Sequence, residues 1–146
     1  MAGFAAVGIS GPLAAEPLPP MVVNKDPKCG CCSGWVEHIR AAGFQTKVIE
    51  VNELAPLKAH LRIPDRLASC HTAQIGGYVL EGHVPASAVK RLLAERPTAT
   101  GLAVPGMPVG SPGMEVSGLP TEPSDVILFG PASQQSYARF LGSREQ

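Results

Sequence analysis

Several things are scarce or missing in this 146-residue chain, and each absence removes a class of function. There is no uninterrupted apolar run of about 18 residues, so no segment reads as a membrane-spanning helix. There is no basic run and no interleaving of basic with aromatic residues. Lys and Arg number 12 against 12 Asp and Glu, so nothing in the charge pattern points to nucleic acid. No internal repeat is visible. No Lys or Arg occurs before Lys25. The length suits one domain with a real core and is too short for two ordinary ones. Gly and Pro, in contrast, are plentiful at 16 and 15, which predicts short elements and long turns.

Residues 1–20 differ from the rest. Met1 to Ile9 is apolar and small. Ser10 to Pro20 is rich in Gly, Pro and Ala, and Leu13-Ala14-Ala15-Glu16-Pro17 offers a small-residue cleavage site. This resembles the later part of a secretory signal peptide without its basic start. The expectation is a truncated leader or disordered segment over 1–20, a domain over 21–146, and export from the cytoplasm. A disordered N-terminus on a cytosolic protein would read the same way.

From residue 21 the pattern alternates. Met21 to Asn24 reads as a strand after Pro19-Pro20. A helix follows from about Cys31 to Ala42, because Trp35, Val36, Ile39 and Ala42 recur at helical spacing and Gly43 suits its end. Thr46 to Val51 is a β-branched strand, and Asn52 is placed to cap a short helix to about Leu61. This βαβα order favours an α/β domain. Ala73 to Leu80 reads as strand segments around Gly76-Gly77. Val84-Pro85 opens a helix through Glu95, with Val89, Leu92 and Leu93 as its apolar stripe. Gly101 to Pro120 reads as a shaped Gly/Pro-rich loop. Asp125 to Phe129 and Ser136 to Leu141 read as a C-terminal β-hairpin around Gly130-Pro131.

The chemistry is concentrated in four cysteines. Cys29, Cys31 and Cys32 lie within four residues, between a predicted strand and a predicted helix. Backbone N–H groups and the positive end of the helix dipole meet there and favour thiolate. Three adjacent thiolates repel one another without a cation, and a soft monovalent ion such as Cu(I) answers that problem. Cys70, followed by His71, extends the ligand set. Further candidates are His83, Met107, Met114 and, more weakly, His38. Thioether sulfur suits Cu(I) and suits zinc poorly. Met107 and Met114 could equally be packing residues of their loop. Trp35 reads as core and His60 as solvent-facing. Glu81 and His83 form a weak acid–base or outer-sphere candidate.

Four runs, in order, carry a family resemblance: Cys29-Gly30-Cys31-Cys32-Ser33-Gly34-Trp35, Ser69-Cys70-His71-Thr72-Ala73, the stretch from Gly77 to Ala86, and the stretches Gly101 to Pro108 and Gly110 to Glu115. Together they resemble the CopG-type periplasmic copper-resistance proteins, over roughly Val22 to Leu141. The resemblance implies a thioredoxin-like fold and a bacterial envelope location. It implies that Cys29, Cys31, Cys32 and Cys70 hold copper, a multinuclear Cu(I) cluster being among the forms allowed. His83 and Met107 are carried over as completing ligands because they lie inside matching motifs. A role in copper tolerance comes with it, alongside Cu(I)/Cu(II) redox cycling and other periplasmic copper-handling proteins as partners. Whether the chain is an enzyme, a copper oxidoreductase, stays open.

The main rival is thiol–disulfide exchange. Cys29 and Cys32 are themselves spaced Cys-X-X-Cys between strand and helix. Against it, Cys31 offers a competing nucleophile and Cys70-His71 would have no role. A zinc site is the third reading, and adjacent Cys31-Cys32 fits it badly. In an oxidising compartment without metal, at least one disulfide is expected among the four. Four cysteines allow three full pairings, and the sequence does not choose.

Overall fold

A computed structural model describes residue 11 and residues 17–146. The leader expected over 1–20 lies outside the described residues except at these few positions, where Leu18 packs against the core. The chain forms one mixed α/β domain on an eight-stranded sheet of order β2-β1-β3-β4-β5-β6-β7-β8. Strand β1 (Met21–Lys25) leads into α1 (Gly30–Ala41), and β2 (Thr46–Glu50) returns parallel to β1. Helix α2 (Ala55–His60) and a 3-10 turn (Asp65–Leu67) follow. Strands β3 (His71–Ile75) and β4 (Tyr78–Glu81) then form a hairpin, with β3 antiparallel to β1. Helix α3 (Ala86–Glu95) crosses over to β5 (Gly101–Ala103), which pairs parallel with β4. Strands β6 (Pro123–Phe129), β7 (Gln134–Leu141) and β8 (Arg144–Glu145) complete the sheet antiparallel.

Both faces of the sheet are covered, and strand alternation shows how. Leu80, Leu102, Val126 and Leu128 enter one cluster with Trp35, Val36, Ile39, Val89 and Leu92 from α1 and α3. Their neighbours Val79, Ala103, Ile127 and Phe129 turn to the other face and pack with Ile63 and Leu67. Trp35 is fully buried, and its Nε1 donates to the Val84 carbonyl at 2.9 Å, which ties α1 to the segment entering α3.

Most sequence expectations stand within a residue or two, and several need correction. Asn52 does not cap α2; the cap is Leu54, with Pro at the helix start. Pro85 sits at the N-cap of α3, one residue before the helix. The loop expected from Gly101 begins three residues later, because 101–103 form β5. A Cβ at Gly101 would overlap the Val79 backbone, so only glycine lets this strand dock on β4. The hairpin is followed by β8, which no pattern announced. The bend at Gly76-Gly77 is a tight turn with both residues at positive φ, 55° and 86°.

One buried ion pair holds α2 to the sheet beside the cysteine segment. Lys58 Nζ lies 2.6 Å from Glu81 Oε2, with the Glu81 side chain fully buried. Thr72, cross-strand partner of Glu81, donates to its other oxygen at 2.6 Å, and the Ser69 N–H donates at 3.3 Å. Burial pushes the Glu81 carboxyl upward, against the pull of Lys58 and Thr72. Replacing Lys58 leaves this carboxylate buried and unpaired. Lys58→Met is therefore expected to cost about 3–5 kcal/mol, read as a shift of the urea midpoint. Arg139→Ala breaks only the exposed pair with Asp125 and should cost under about 1 kcal/mol.

Candidate metal centre

The four cysteines converge at one end of the sheet. Cys29 is the N-cap of α1, and Cys31 and Cys32 lie in its first turn, where unpaired N–H groups and the dipole favour negative charge. No side chain caps this end of α1. Cys70 immediately precedes β3, whose antiparallel pairing with β1 sets His71 opposite Lys25. That register carries Cys70 to the cysteine loop across a gap of more than thirty residues. All four Sγ atoms lie within 4.8 Å of one another. Cys31 Sγ is 3.4 Å from Cys29 Sγ and 3.8 Å from Cys70 Sγ. Cys29 and Cys32 are joined as a disulfide, and Cys31 and Cys70 are free thiols. At least one disulfide was expected, and this is the Cys-X-X-Cys pair.

Imidazoles form the floor. His83 Nε2 lies 3.1 Å from Cys70 Sγ, and its Nδ1 is 2.7 Å from the Pro112 carbonyl. A carbonyl only accepts, so Nδ1 carries the proton and Nε2 presents its lone pair to Cys70. This is how a ligating histidine is usually oriented. His71 Nδ1 lies 3.4 Å from the same sulfur. The His71 ring packs on Trp35 at 4.4 Å between centroids and edge-on to His83 at 5.0 Å. Among the described residues its buried Nε2 has no hydrogen-bond partner.

Electrostatics separate the two atom types. Burial, and then the charge of nearby Cys31, pushes the Cys70 thiol up to about 11, with the Ser69 hydroxyl pulling the other way. Burial first, then the neighbouring His83 ring and the ammoniums of Lys58 and Lys25, bring His71 down to about 3, against the Gly82 backbone, which pulls the other way. Burial also lowers His83. Both imidazoles are thus neutral at ordinary pH and keep a lone pair for a metal. Lys25 is itself buried, its ammonium donating to the Asp26 carbonyl at 3.0 Å.

The Gly/Pro-rich loop closes over this end. Gly113, at φ 90°, lies so close that a Cβ there would come within 2.6 Å of the Cys31 carbonyl and the Trp35 nitrogen, and 3.1 Å from His83 Nδ1. Gly34 faces it: a Cβ there would meet the Gly113 Cα at 3.1 Å. Ser69 Oγ donates to the Gly106 carbonyl, which stitches the loop to the segment carrying Cys70.

The remaining candidates separate. Met107 follows Gly106 and is 51 % exposed. Met114 is half-buried in the same loop. His38 is half-buried, and its Nε2 accepts from the Ala86 N–H at 3.0 Å, so that nitrogen is committed to holding α3. His60 is exposed. Glu81 bonds to Lys58, Thr72 and Ser69, not to His83. The group that sequence reasoning underused is His71. Its place directly after Cys70 was the signal, but strand alternation normally turns adjacent side chains to opposite faces, and Cys70 lies just outside β3.

The chain resembles two solved structures, titled "Copper resistance protein copG- Form 2" and "Copper resistance protein copG- Form 1". Each is 38 % identical to it with a TM-score of 0.79; the matches cover 86 % and 87 % of this chain and 99 % and 100 % of those chains. The family described as a protein of unknown function, DUF411, matches residues 67–114, which span Cys70, His83 and the loop to Met114. No curated protein sequence matches.

The contact between loop and site gives a paired test. Gly113→Ala is expected to lose about 1–3 kcal/mol of stability to backbone strain plus the cost of displacing the loop from α1, and to reduce metal retention as His83 loses the Pro112 carbonyl. Gly118, also at positive φ, has open space where a Cβ would go. Gly118→Ala should show the strain cost alone. Denaturation midpoints and metal content of both variants check this.

Proposed function

This chain belongs to the family of the copper-resistance protein CopG, and on that premise we propose that it binds copper as Cu(I) through Cys29, Cys31, Cys32 and Cys70, in copper tolerance. One observation carries the reading: four sulfurs from two distant segments lie within 4.8 Å, a donor set whose softness suits Cu(I). With the Cys29–Cys32 disulfide reduced, four thiols face one point. Their combined charge favours more than one Cu(I), so a multinuclear cluster is part of the proposal. His83 is proposed as a further ligand, supported by its free Nε2 lone pair against Cys70. Met107 is proposed at the rim, supported by the bond from Ser69 to Gly106 beside it.

Three finer readings accompany this. The first seven elements, β1 to β4 with α1 to α3, are read as a thioredoxin-type unit, supported by the order β2-β1-β3-β4 with β1 parallel to β2 and antiparallel to β3. A periplasmic location is read from the leader-like residues 1–20 and the disulfide. Among the described residues no helix is long and apolar enough to cross a membrane. Cu(I)/Cu(II) cycling and exchange with other copper-handling proteins fit a rim in which Cys29, Cys31 and Cys70 are all part-exposed.

Thiol–disulfide exchange remains the second reading, and the Cys29–Cys32 bond at the start of α1 favours it. Cys31 separates the two. A dithiol oxidoreductase needs only Cys29 and Cys32, whereas a copper cluster needs every thiolate. Cys31→Ser should sharply reduce Cu(I) loading of the reduced protein, measured by competition with a Cu(I) chelator, and leave the Cys29–Cys32 disulfide able to form. Normal Cu(I) loading by this variant, with thioredoxin-like reduction of a protein disulfide by the unaltered chain, would replace the copper reading. Cys70→Ser should likewise lower Cu(I) stoichiometry or affinity with the fold intact. The reduced protein should prefer Cu(I) to Zn(II) by a wide margin.

A further inference from the structure

We propose a second metal site in the same chain: Cys70, His71 and His83 form a mononuclear site for a borderline divalent ion such as Zn(II), and it stays open while Cys29 and Cys32 are joined. It shares Cys70 and His83 with the Cu(I) reading but does not depend on it.

Geometry is the first argument. One ligand atom from each of the three residues lies within 4.8 Å of the other two. Zinc–sulfur and zinc–nitrogen bonds of about 2.3 and 2.0–2.1 Å at a tetrahedral angle place ligand S and N roughly 3.5 Å apart. The two S···N separations are 3.4 Å to His71 and 3.1 Å to His83. The three donors therefore stand near ligand spacing before any ion arrives. Cys31, 3.8 Å from Cys70, is placed to take the fourth position.

Donor chemistry is the second. Closing the Cys29–Cys32 disulfide removes two thiolates, and what remains is two thiols and two neutral imidazoles. A mixed set of sulfur and imidazole nitrogen suits Zn(II), where four thiolates suit Cu(I). Binding needs no electron transfer: the ion forms a bond to Cys70 Sγ and the thiol proton leaves to solvent.

The protein also holds these donors in place. His83 is fixed by the Pro112 carbonyl, so its Nε2 cannot take the other tautomer without breaking that bond. His71 is fully buried and packed on Trp35. His71 would ligate through Nδ1, the nitrogen that packing holds 3.4 Å from the Cys70 sulfur, and carry its proton on Nε2.

The test uses the full chain purified without reductant, with two free thiols per chain confirmed. Co(II), a spectroscopic stand-in for zinc, should bind at one equivalent and give thiolate-to-cobalt absorption, and Zn(II) should displace it. Cys70→Ser should abolish that absorption, and His83→Gln should weaken binding at least about tenfold. A measurement free of any variant runs alongside: Zn(II) should slow alkylation of Cys70, located by mass spectrometry. Absence of the cobalt–thiolate band, its persistence in Cys70→Ser, or a Cys70 alkylation rate unchanged by zinc would each overturn the proposal. No copper or reductant is present, so failure here leaves the Cu(I) reading untouched. Failure of Cu(I) loading would leave this one standing.

Discussion

Like charges at short range are the constraint around which this structure is arranged. Four sulfurs within 4.8 Å cannot all be thiolates unless something positive lies among them. Without metal, the structure shows two of the ways out. Cys29 and Cys32 surrender their charge to a disulfide, and Cys70 keeps its proton because burial and Cys31 hold its thiol up to about 11. A bound cation is the third way. The surroundings lean towards it: the open N-terminus of α1, the buried Lys25 and the nearby Lys58 all put positive potential on this end of the sheet. Burial keeps the two imidazoles neutral, with Lys58 and Lys25 adding to it at His71, which makes them ligands and not competitors for the anion.

Holding these groups together falls to contacts that individually look minor. The antiparallel register of β1 and β3 decides that His71 lies beside Lys25. The Glu81 carboxylate gathers the Ser69 N–H, the Thr72 hydroxyl and Lys58, so the turn before β3 is anchored one residue from Cys70. Gly113 brings the loop onto the first turn of α1, and Pro112 orients His83 from there. The loop, expected to be shaped and to carry the candidate ligands Met107 and Met114, also reaches the site through its backbone at Pro112 and Gly113. Gly113 is required there by a backbone-to-backbone approach that no side chain would survive.

The sequence was most legible where chemistry and local pattern coincide. Cys29-Gly30-Cys31-Cys32 followed by Trp35, Val36 and Ile39 announces a helix with sulfur at its start, and α1 is that helix. The meeting of Cys70 with this loop does not follow from spacing, since it depends on a strand pairing between distant segments; here the family resemblance supplied what periodicity lacks. Strand β5 was hidden because three residues carry too little pattern and its glycine reads as loop. The Lys58–Glu81 pair was invisible for a related reason. A lysine on a short exposed-looking helix gives no sign that it reaches a carboxylate on the sheet. His71 was seen but undervalued, because nothing in one sequence tells which way a residue at a strand's first position will face.

Burial sorts the ligands into layers, and the layers bear on how metal would arrive. Cys29, Cys31 and Cys70 are part-exposed, whereas Cys32, His71 and His83 are buried. An incoming ion therefore meets sulfur first and nitrogen afterwards. On the proposed Cu(I) reading the rim would be the first stopping place, where an ion would be exchanged one thiolate at a time. A harder ion gains more from the floor, where two imidazoles lie within reach of Cys70. Cys70 joins the two layers, because its sulfur touches Cys31 on the rim and both histidines below, so occupancy of either layer is felt by the other through it.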